Sequence, residues 1–259
     1  MDLKLAGKTA FISGSTQGIG YAVAEQLLRE GAAVVINGRT QEKVDAAVNR
    51  LRTVGAAVRG IAADFSDAAA VTKLIAQLPA IDILVNNVGI FDRKPFFELE
   101  DADWYRFFEV NVMSGARLSK ALLPKMLERK WGRILFISSE SGVNIPANMI
   151  HYGMSKTAML SISRGLSQLT KGTAVTVNTI LGGPTYSDGV AAAVAHVAGM
   201  QGVPVEQMKS QLINPASLLD RFITPEEIAH FAAYLCSPLS VATNGAALRA
   251  DGGVLQTIL

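Results

Sequence analysis

The sequence is poor in the residues that most often announce a special chemistry: it has one cysteine, three histidines and no run of like charge. A lone cysteine, Cys236, excludes an internal disulfide. It falls within the apolar periodicity of a late helix, so it reads as a buried thiol of a reducing compartment, the cytoplasm. His151, His196 and His230 are scattered without ligand spacing, and no metal site is expected. Lys and Arg number 24 against 22 Asp and Glu, a net charge of +2 with no basic stripe, which argues against nucleic acid and against an anionic membrane surface as partners. No apolar run reaches membrane-spanning length, the nearest being VAAAVAHVAGM around Ala195, and the opening MDLKLAGKTAFIS enters a strand with no signal-peptide core. Linkers rich in Pro, Gly, Ser or charge are absent too, as are internal repeats. The expectation is one domain over residues 1–259.

What is present is apolar: 49% of the residues, enough to cover both faces of a sheet. Residues 8–13 read as a buried strand, GSTQGIG follows as a turn, and a helix begins with Ile19, Val23, Leu27 and Leu28 on its apolar face. A strand, a glycine turn and a helix in that order form a cradle for a dinucleotide pyrophosphate, because glycine lets the backbone approach and the helix start offers free N–H groups. Gly14, Ser15, Gly18, Ile19 and Gly20 are the candidates there. A second strand, 33–36, runs into NGRT. Gly38 carries no carboxylate at the place where an open α/β fold meets the adenosine ribose, and Arg39 puts a cation beside it. The third strand, 58–62, leads to Asp64, and the fourth ends in Asn86, Asn87 and Gly89. The carboxyl ends of such strands line the ligand crevice of a doubly wound parallel sheet.

A long helical region after Leu99 carries Asn111 inside its apolar pattern and Pro124 near its end. The stretch from Ile134 to Met159 is the centre of the reading. An apolar strand ends at Ser139, a polar loop follows, and a helix places Tyr152 and Lys156 at i and i+4 on one face. A fixed ammonium favours phenolate over phenol, so Lys156 is expected to draw the Tyr152 pKa down from about 10 and let it exchange a proton with a substrate oxygen. A Ser139 hydroxyl would steady that oxygen. A sixth strand ends in GGPTYSDG. Residues 187–222 then read as a helical lid, and Thr224 caps the last long helix with Pro225 and Glu227 behind it.

These residues resemble the short-chain dehydrogenase/reductase family over essentially the whole chain, and in particular its 3-oxoacyl-acyl-carrier-protein reductase-like members. Gly14, Gly18 and Gly20 match the family's glycine motif. Asn86, Asn87 and Gly89 match its Asn-Asn-Ala-Gly motif with Val88 for Ala, and Asn111, Ser139, Tyr152 and Lys156 match its catalytic tetrad. The resemblance implies a single Rossmann-type domain with about seven parallel strands and a helical lid, assembled as a homotetramer or homodimer. It also implies roles: Tyr152 as proton donor in carbonyl reduction, Lys156 on the nicotinamide ribose, Ser139 on the carbonyl, Asn111 holding a relay water, and Gly183, Thr185 and Ser187 in contact with the cofactor. One departure is Gly182-Gly183 where the family has Pro-Gly, with a backbone expected to be less restrained. The expected activity is reduction of a carbonyl on a small, fairly apolar substrate, or the reverse alcohol oxidation, with NADP(H) preferred over NAD(H). A non-catalytic NADP(H)-binding scaffold or redox sensor is the alternative. For an acyl carrier, Arg93, Lys94, Lys125, Arg129 and Lys130 are the candidate basic patch.

Overall fold

Runs such as AFI, VVI, ILV and ILFI are apolar on both sides of the strand period, which is the pattern of a parallel sheet covered on both faces. The computed structural model, which describes residues 1–258, folds them into such a sheet. Its strands are β1 (Thr9–Ile12), β2 (Ala33–Gly38), β3 (Val58–Ala62), β4 (Ile83–Asn86), β5 (Trp131–Ser139), β6 (Ala174–Gly182) and β7 (Ala247–Ala250), all parallel in the order β3-β2-β1-β4-β5-β6-β7. The order reverses direction between β1 and β4, where Ile12 pairs with Val85, and this opens a crevice at the carboxyl ends of the strands.

Alternate strand residues feed two cores. Ile12, Ile36, Val85 and Ile137 pack with α1 (Gly18–Arg29), α2 (Gln41–Leu51) and α9 (Pro225–Cys236) through Val23, Leu27, Val44 and Ile228. Phe11, Val35, Leu84 and Phe136 face the other way, onto α3 (Ala68–Gln77), α5 (Ser114–Glu128) and α6 (Ile150–Gln168). Cys236 is fully buried in the first core, where desolvation pushes its thiol up to about 12. Thr40, Asp67 and Thr224 cap α2, α3 and α9, and Thr224 closes a capping box with Glu227 as the sequence predicts.

Two features differ from the sequence reading. β2 runs past Ile36 to Gly38, because Asn37 and Gly38 keep pairing with Ile61 and Ala62. The long helical region is broken in three: α4 (Asp101–Phe107), a π-helical turn over Phe108–Met113, and α5, inside which Pro124 sits. The segment expected to be a lid holds α7 (Asp188–Gln201) and α8 (Val205–Gln211), packed on each other through Val194, Ala198 and Met208. Its two roots are stitched together where Ile223 N–H donates to Pro184 O at 2.9 Å and Tyr186 N–H to Ile223 O at 2.9 Å.

Candidate active site

The glycine turn between β1 and α1 is held open by its neighbours. Gly14 and Gly18 sit at φ +61° and +60°, the left-handed region that a side chain disfavours. A Cβ at Gly20 would lie 2.4 Å from Asn87 Nδ2 and 2.6 Å from Gly14 O, so only glycine lets α1 start this close to the end of β4. Asn87 Nδ2 donates to Ser13 O and Gly14 O at 3.0 and 2.9 Å. Asn37, which the sequence reading passed over, accepts from Gly14 N–H at 3.1 Å through Oδ1 and donates to Ile61 O at 3.0 Å through Nδ2. Ser15 corrects an expectation. It is fully buried, its N–H is taken by Asn37 O, and its hydroxyl donates to Ile12 O at 2.6 Å while accepting from Asn37 N–H, so it braces the turn rather than facing a ligand. The Asn87 amide braces the turn in the same way. Ile19 packs its side chain on the core below.

The start of α1 fits a phosphate. Gln17 gives it no side-chain cap, its first turn has no acid, and Gly18 N–H donates to Asp188 Oδ2 at 2.7 Å, an anionic oxygen from the lid already resting on the positive helix end. Ser187 caps α7 through Val190 N–H and lies against the turn, its Cβ 3.4 Å from where a Gly18 Cβ would be. Thr185 Oγ1 donates to Gly183 O at 2.9 Å. Gly183 itself is pressed on Asp251, whose carbonyl would be 2.5 Å from a Cβ there. Gly182 is not loose: it pairs with Ser139 on one side and Ala250 on the other as the last residue of β6.

At the end of β2 the space beside Gly38 is filled, since a Cβ there would meet Thr16 Cγ2 at 2.5 Å. Any larger residue at this position would require the Thr16 side chain to move. Arg39 is exposed beside it. Asp64 Oδ1 accepts from Ser66 N–H and Oγ at 2.9 and 2.8 Å; those bonds, and more weakly the Arg39 charge, hold its carboxyl below the usual range.

The second half of the crevice collects the tetrad. Strand alternation sends Ser138 under α6, where it donates to Lys156 O at 3.0 Å, and turns Ser139 to the cleft. Ser139 Oγ accepts from Ser141 N–H at 3.1 Å and donates to Glu140 Oε2, while Ser141 Oγ donates to Glu140 Oε1 at 3.1 Å. Lys156 is buried. Its Nζ donates to Ile137 O at 3.0 Å and lies 5.6 Å from the centre of the Tyr152 ring. Gly89 gives the ammonium room, since a Cβ would stand 3.3 Å from Nζ. Burial pulls Lys156 down to about 8, against a smaller opposing pull from Glu140. The same burial pushes Tyr152 up to about 12; the Ser139 hydroxyl opposes this and the Glu140 charge adds to it. The expected lowering of the phenol by Lys156 is not found: desolvation dominates, and the one group opposing it is Ser139.

Asn111 lies in the π turn, a helix defect that often marks a site. Its Oδ1 accepts from Ile90 N–H at 2.8 Å, and its Nδ2 donates to Ile90 O at 3.0 Å and Ser155 Oγ at 2.9 Å. It therefore fastens the loop after β4 to α6. A second fastener was not anticipated: buried His151, next to Tyr152, holds Asp92 of the same loop through Nε2 at 2.5 Å, with the edges of Phe107 and Trp104 around its ring. Glu140 was missed as well, although a carboxylate adjacent to a candidate serine was a visible signal.

The segments flanking Tyr152 expose Phe91, Val143 and Ile145. The proposed basic patch does not gather here. Lys94 pairs with Asp103 at 2.6 Å, and Arg129 bonds to Ile81 O at 2.7 Å, at the amino end of β4. Lys125, Arg129 and Lys130 precede β5, so they lie toward the end of the sheet opposite the cleft. Among the described residues no group of side chains is set to hold a metal, and no helix is long and apolar enough to cross a membrane.

Comparison with known proteins agrees with this geometry. The family model of the short chain dehydrogenases matches residues 8–198. Two oxidoreductases of Bacillus subtilis (strain 168), YvaG and YvrD, are 45% and 46% identical, each alignment covering 100% of both chains. The crystal structure of L-sorbose reductase from Gluconobacter frateurii, complexed with NADPH and L-sorbose, superposes with a TM-score of 0.95 at 29% identity, covering 100% of both chains. The chain belongs to the short chain dehydrogenase family and is an oxidoreductase.

Proposed function

We propose that the protein reduces a carbonyl on a small, fairly apolar substrate with NADPH, or runs the reverse alcohol oxidation, and that Tyr152 is its proton donor. The observation that carries this reading is the meeting of Ser139, Tyr152, Lys156 and Asn111 around the loop after β4, at the edge of a turn already holding an anion. The nicotinamide, when bound, supplies the hydride. A phenol pushed up to about 12 is protonated at neutral pH, the form a donor to a developing alkoxide needs. Ser139 steadies the same oxygen, and Lys156 sits one helical turn from the tyrosine to hold the cofactor ribose. Phe91, Val143 and Ile145 support a substrate with an apolar remainder. Arg39 beside Gly38, which carries no carboxylate, supports NADPH over NADH, through charge-assisted bonds to a 2′-phosphate. The exposed rings of Phe97, Tyr105 and Phe108 on and beside α4 support a homodimer or homotetramer.

Tyr152→Phe tests the reading. It keeps the packing and removes the proton, so carbonyl reduction should fall at least about a hundredfold while NADPH binding stays near wild type. Turnover close to wild type would end the proposal. Dissociation constants for NADPH and NADH in wild type and Arg39→Ala test the cofactor: a wild type that binds NADH more tightly, or an unchanged preference in the variant, removes Arg39 from the choice.

A further inference from the structure

The Ser139 hydroxyl has a single proton, and in this structure Glu140 holds it. A serine hydroxyl offers one donor and two acceptor positions. Here the donor goes to Glu140 Oε2 and one acceptor position takes the Ser141 N–H at 3.1 Å, while Ser141 Oγ reaches Glu140 Oε1 at 3.1 Å. What remains for the cleft is an acceptor. A substrate carbonyl is also only an acceptor, so it cannot be held by Ser139 as the hydroxyl stands. For Ser139 to turn its proton to the carbonyl, a half-buried Glu140 must give up a charge-assisted hydrogen bond, which is unfavourable unless something replaces it. The carboxylate is half-buried and near enough to the reacting groups to raise both Tyr152 and Lys156, so a bound substrate displaces water from it, and a hydroxyl beside the substrate carbonyl is placed to supply the replacement donor.

We infer that Glu140 is a specificity-determining residue that selects carbonyl substrates bearing a hydroxyl on the adjacent carbon, and vicinal diols in the reverse direction. The substrate hydroxyl donates to the carboxylate, the Ser139 proton is released to the carbonyl, and the number of hydrogen bonds is conserved. A plain ketone leaves the carboxylate short of a donor. A 2-oxo acid brings a second anion against it and is disfavoured further. The inference deepens the carbonyl-reductase reading and rests on it. It is compatible with the apolar flank, which would take the rest of the substrate.

The experiment compares kcat/KM with NADPH for 3-hydroxy-2-hexanone, 2-hexanone and 2-oxohexanoate, matched in carbon number, in wild type, Glu140→Ala and Glu140→Gln. Wild type should prefer the hydroxy ketone to 2-hexanone at least tenfold. In Glu140→Ala the ratio should fall below threefold, chiefly because 2-hexanone improves once Ser139 is free. Glu140→Gln keeps the shape without the charge, and it should raise 2-oxohexanoate relative to 2-hexanone at least threefold. Wild-type NADPH binding in each variant shows that it is folded; if only Glu140→Gln meets that standard, its 2-oxohexanoate ratio decides. No hydroxyl preference in wild type, a preference unchanged in folded Glu140→Ala, or an unchanged acid ratio in Glu140→Gln overturns the role of Glu140 and leaves the reductase reading standing. Failure of all three substrates in a wild type that binds NADPH overturns both.

Discussion

The carboxyl ends of β1 and β5 border one crevice, but they hold their polar groups in different ways. Around β1 the buried groups are neutral and answer each other: Ser13, Ser15, Asn37 and Asn87 exchange hydrogen bonds with the glycine turn and with neighbouring strand ends. Around β5 the groups are titratable and compete: a desolvated ammonium at Lys156, a phenol at Tyr152, and a half-buried carboxylate at Glu140 that claims the Ser139 proton. The first arrangement makes a stiff cradle whose own polar groups are satisfied, leaving the start of α1 to an anion. The second stores electrostatic cost where chemistry is to happen, as active sites do.

The contrast breaks most sharply at Lys156. Its folded pKa of about 8 lies below the ordinary 10.5, so between those values the unfolded chain binds more protons and stability rises with pH; below about pH 8 the folded state bears the full burden of the buried charge. Lys156→Met should therefore lose at least about a hundredfold in activity. Near pH 7 it should gain stability, by an amount on the order of 1–3 kcal/mol that shrinks as pH climbs from 8 to 10.5. Melting temperatures across pH 6 to 10.5 check this. A variant less stable than wild type at pH 7 would mean that the ammonium is a structural asset, and the two strand ends would then be alike.

At β1 the same operation has the opposite sign. Asn37→Ala leaves Gly14 N–H and the carbonyls of Ile61 and Ala63 without their partner in a buried place, and it should cost about 2–4 kcal/mol in denaturant unfolding. NADPH affinity should weaken with it, because the turn loses the bond that fixes Gly14. Unchanged stability would show that the cradle is held by backbone pairing alone.

What the chain displays in advance follows the same division. The succession of strands and helices, the glycine turn, the cap of the last long helix and the tetrad positions are local patterns: apolar period, Gly spacing, Thr224-Pro225 with Glu227, and Tyr152 four residues before Lys156. Ser139 was picked out by the tetrad match, since strand alternation says only that it and Ser138 face opposite ways. The π turn was not, because its register answers to Asn111 meeting Ile90 and Ser155 from other elements. Asn37 looked like the end of a strand, and only β3 beside it reveals its bonds. The pKa of Tyr152 was read with the wrong sign because a sequence shows the neighbouring lysine and not the depth of burial. The basic patch was split by topology: Arg93 and Lys94 follow β4 on the cleft side, whereas α5 descends from the cleft and carries Lys125, Arg129 and Lys130 to the opposite end of the strands.

The lid supplies the smallest and most specific test, because it touches the stiff end through a charge. Asp188 joins α7 to the glycine turn at Gly18, and apart from the stitched roots the lid has a core of its own built on Val194, Ala198 and Met208. Few buried contacts predict low local stability, so amides of α7 and α8 should exchange faster than those of β5 and β6, and slow when NADPH and substrate are both present. Asp188→Asn weakens the charge-assisted bond to the helix start by no more than about 1 kcal/mol, so the fold should melt within a few degrees of wild type while α7 exchanges several times faster. The same substitution removes an anion from the place a pyrophosphate would take, so NADPH affinity should hold or rise. Equal protection of lid and sheet in wild type, or α7 exchange unmoved in Asp188→Asn, would show that the lid is part of the rigid body and that Asp188 is not its latch.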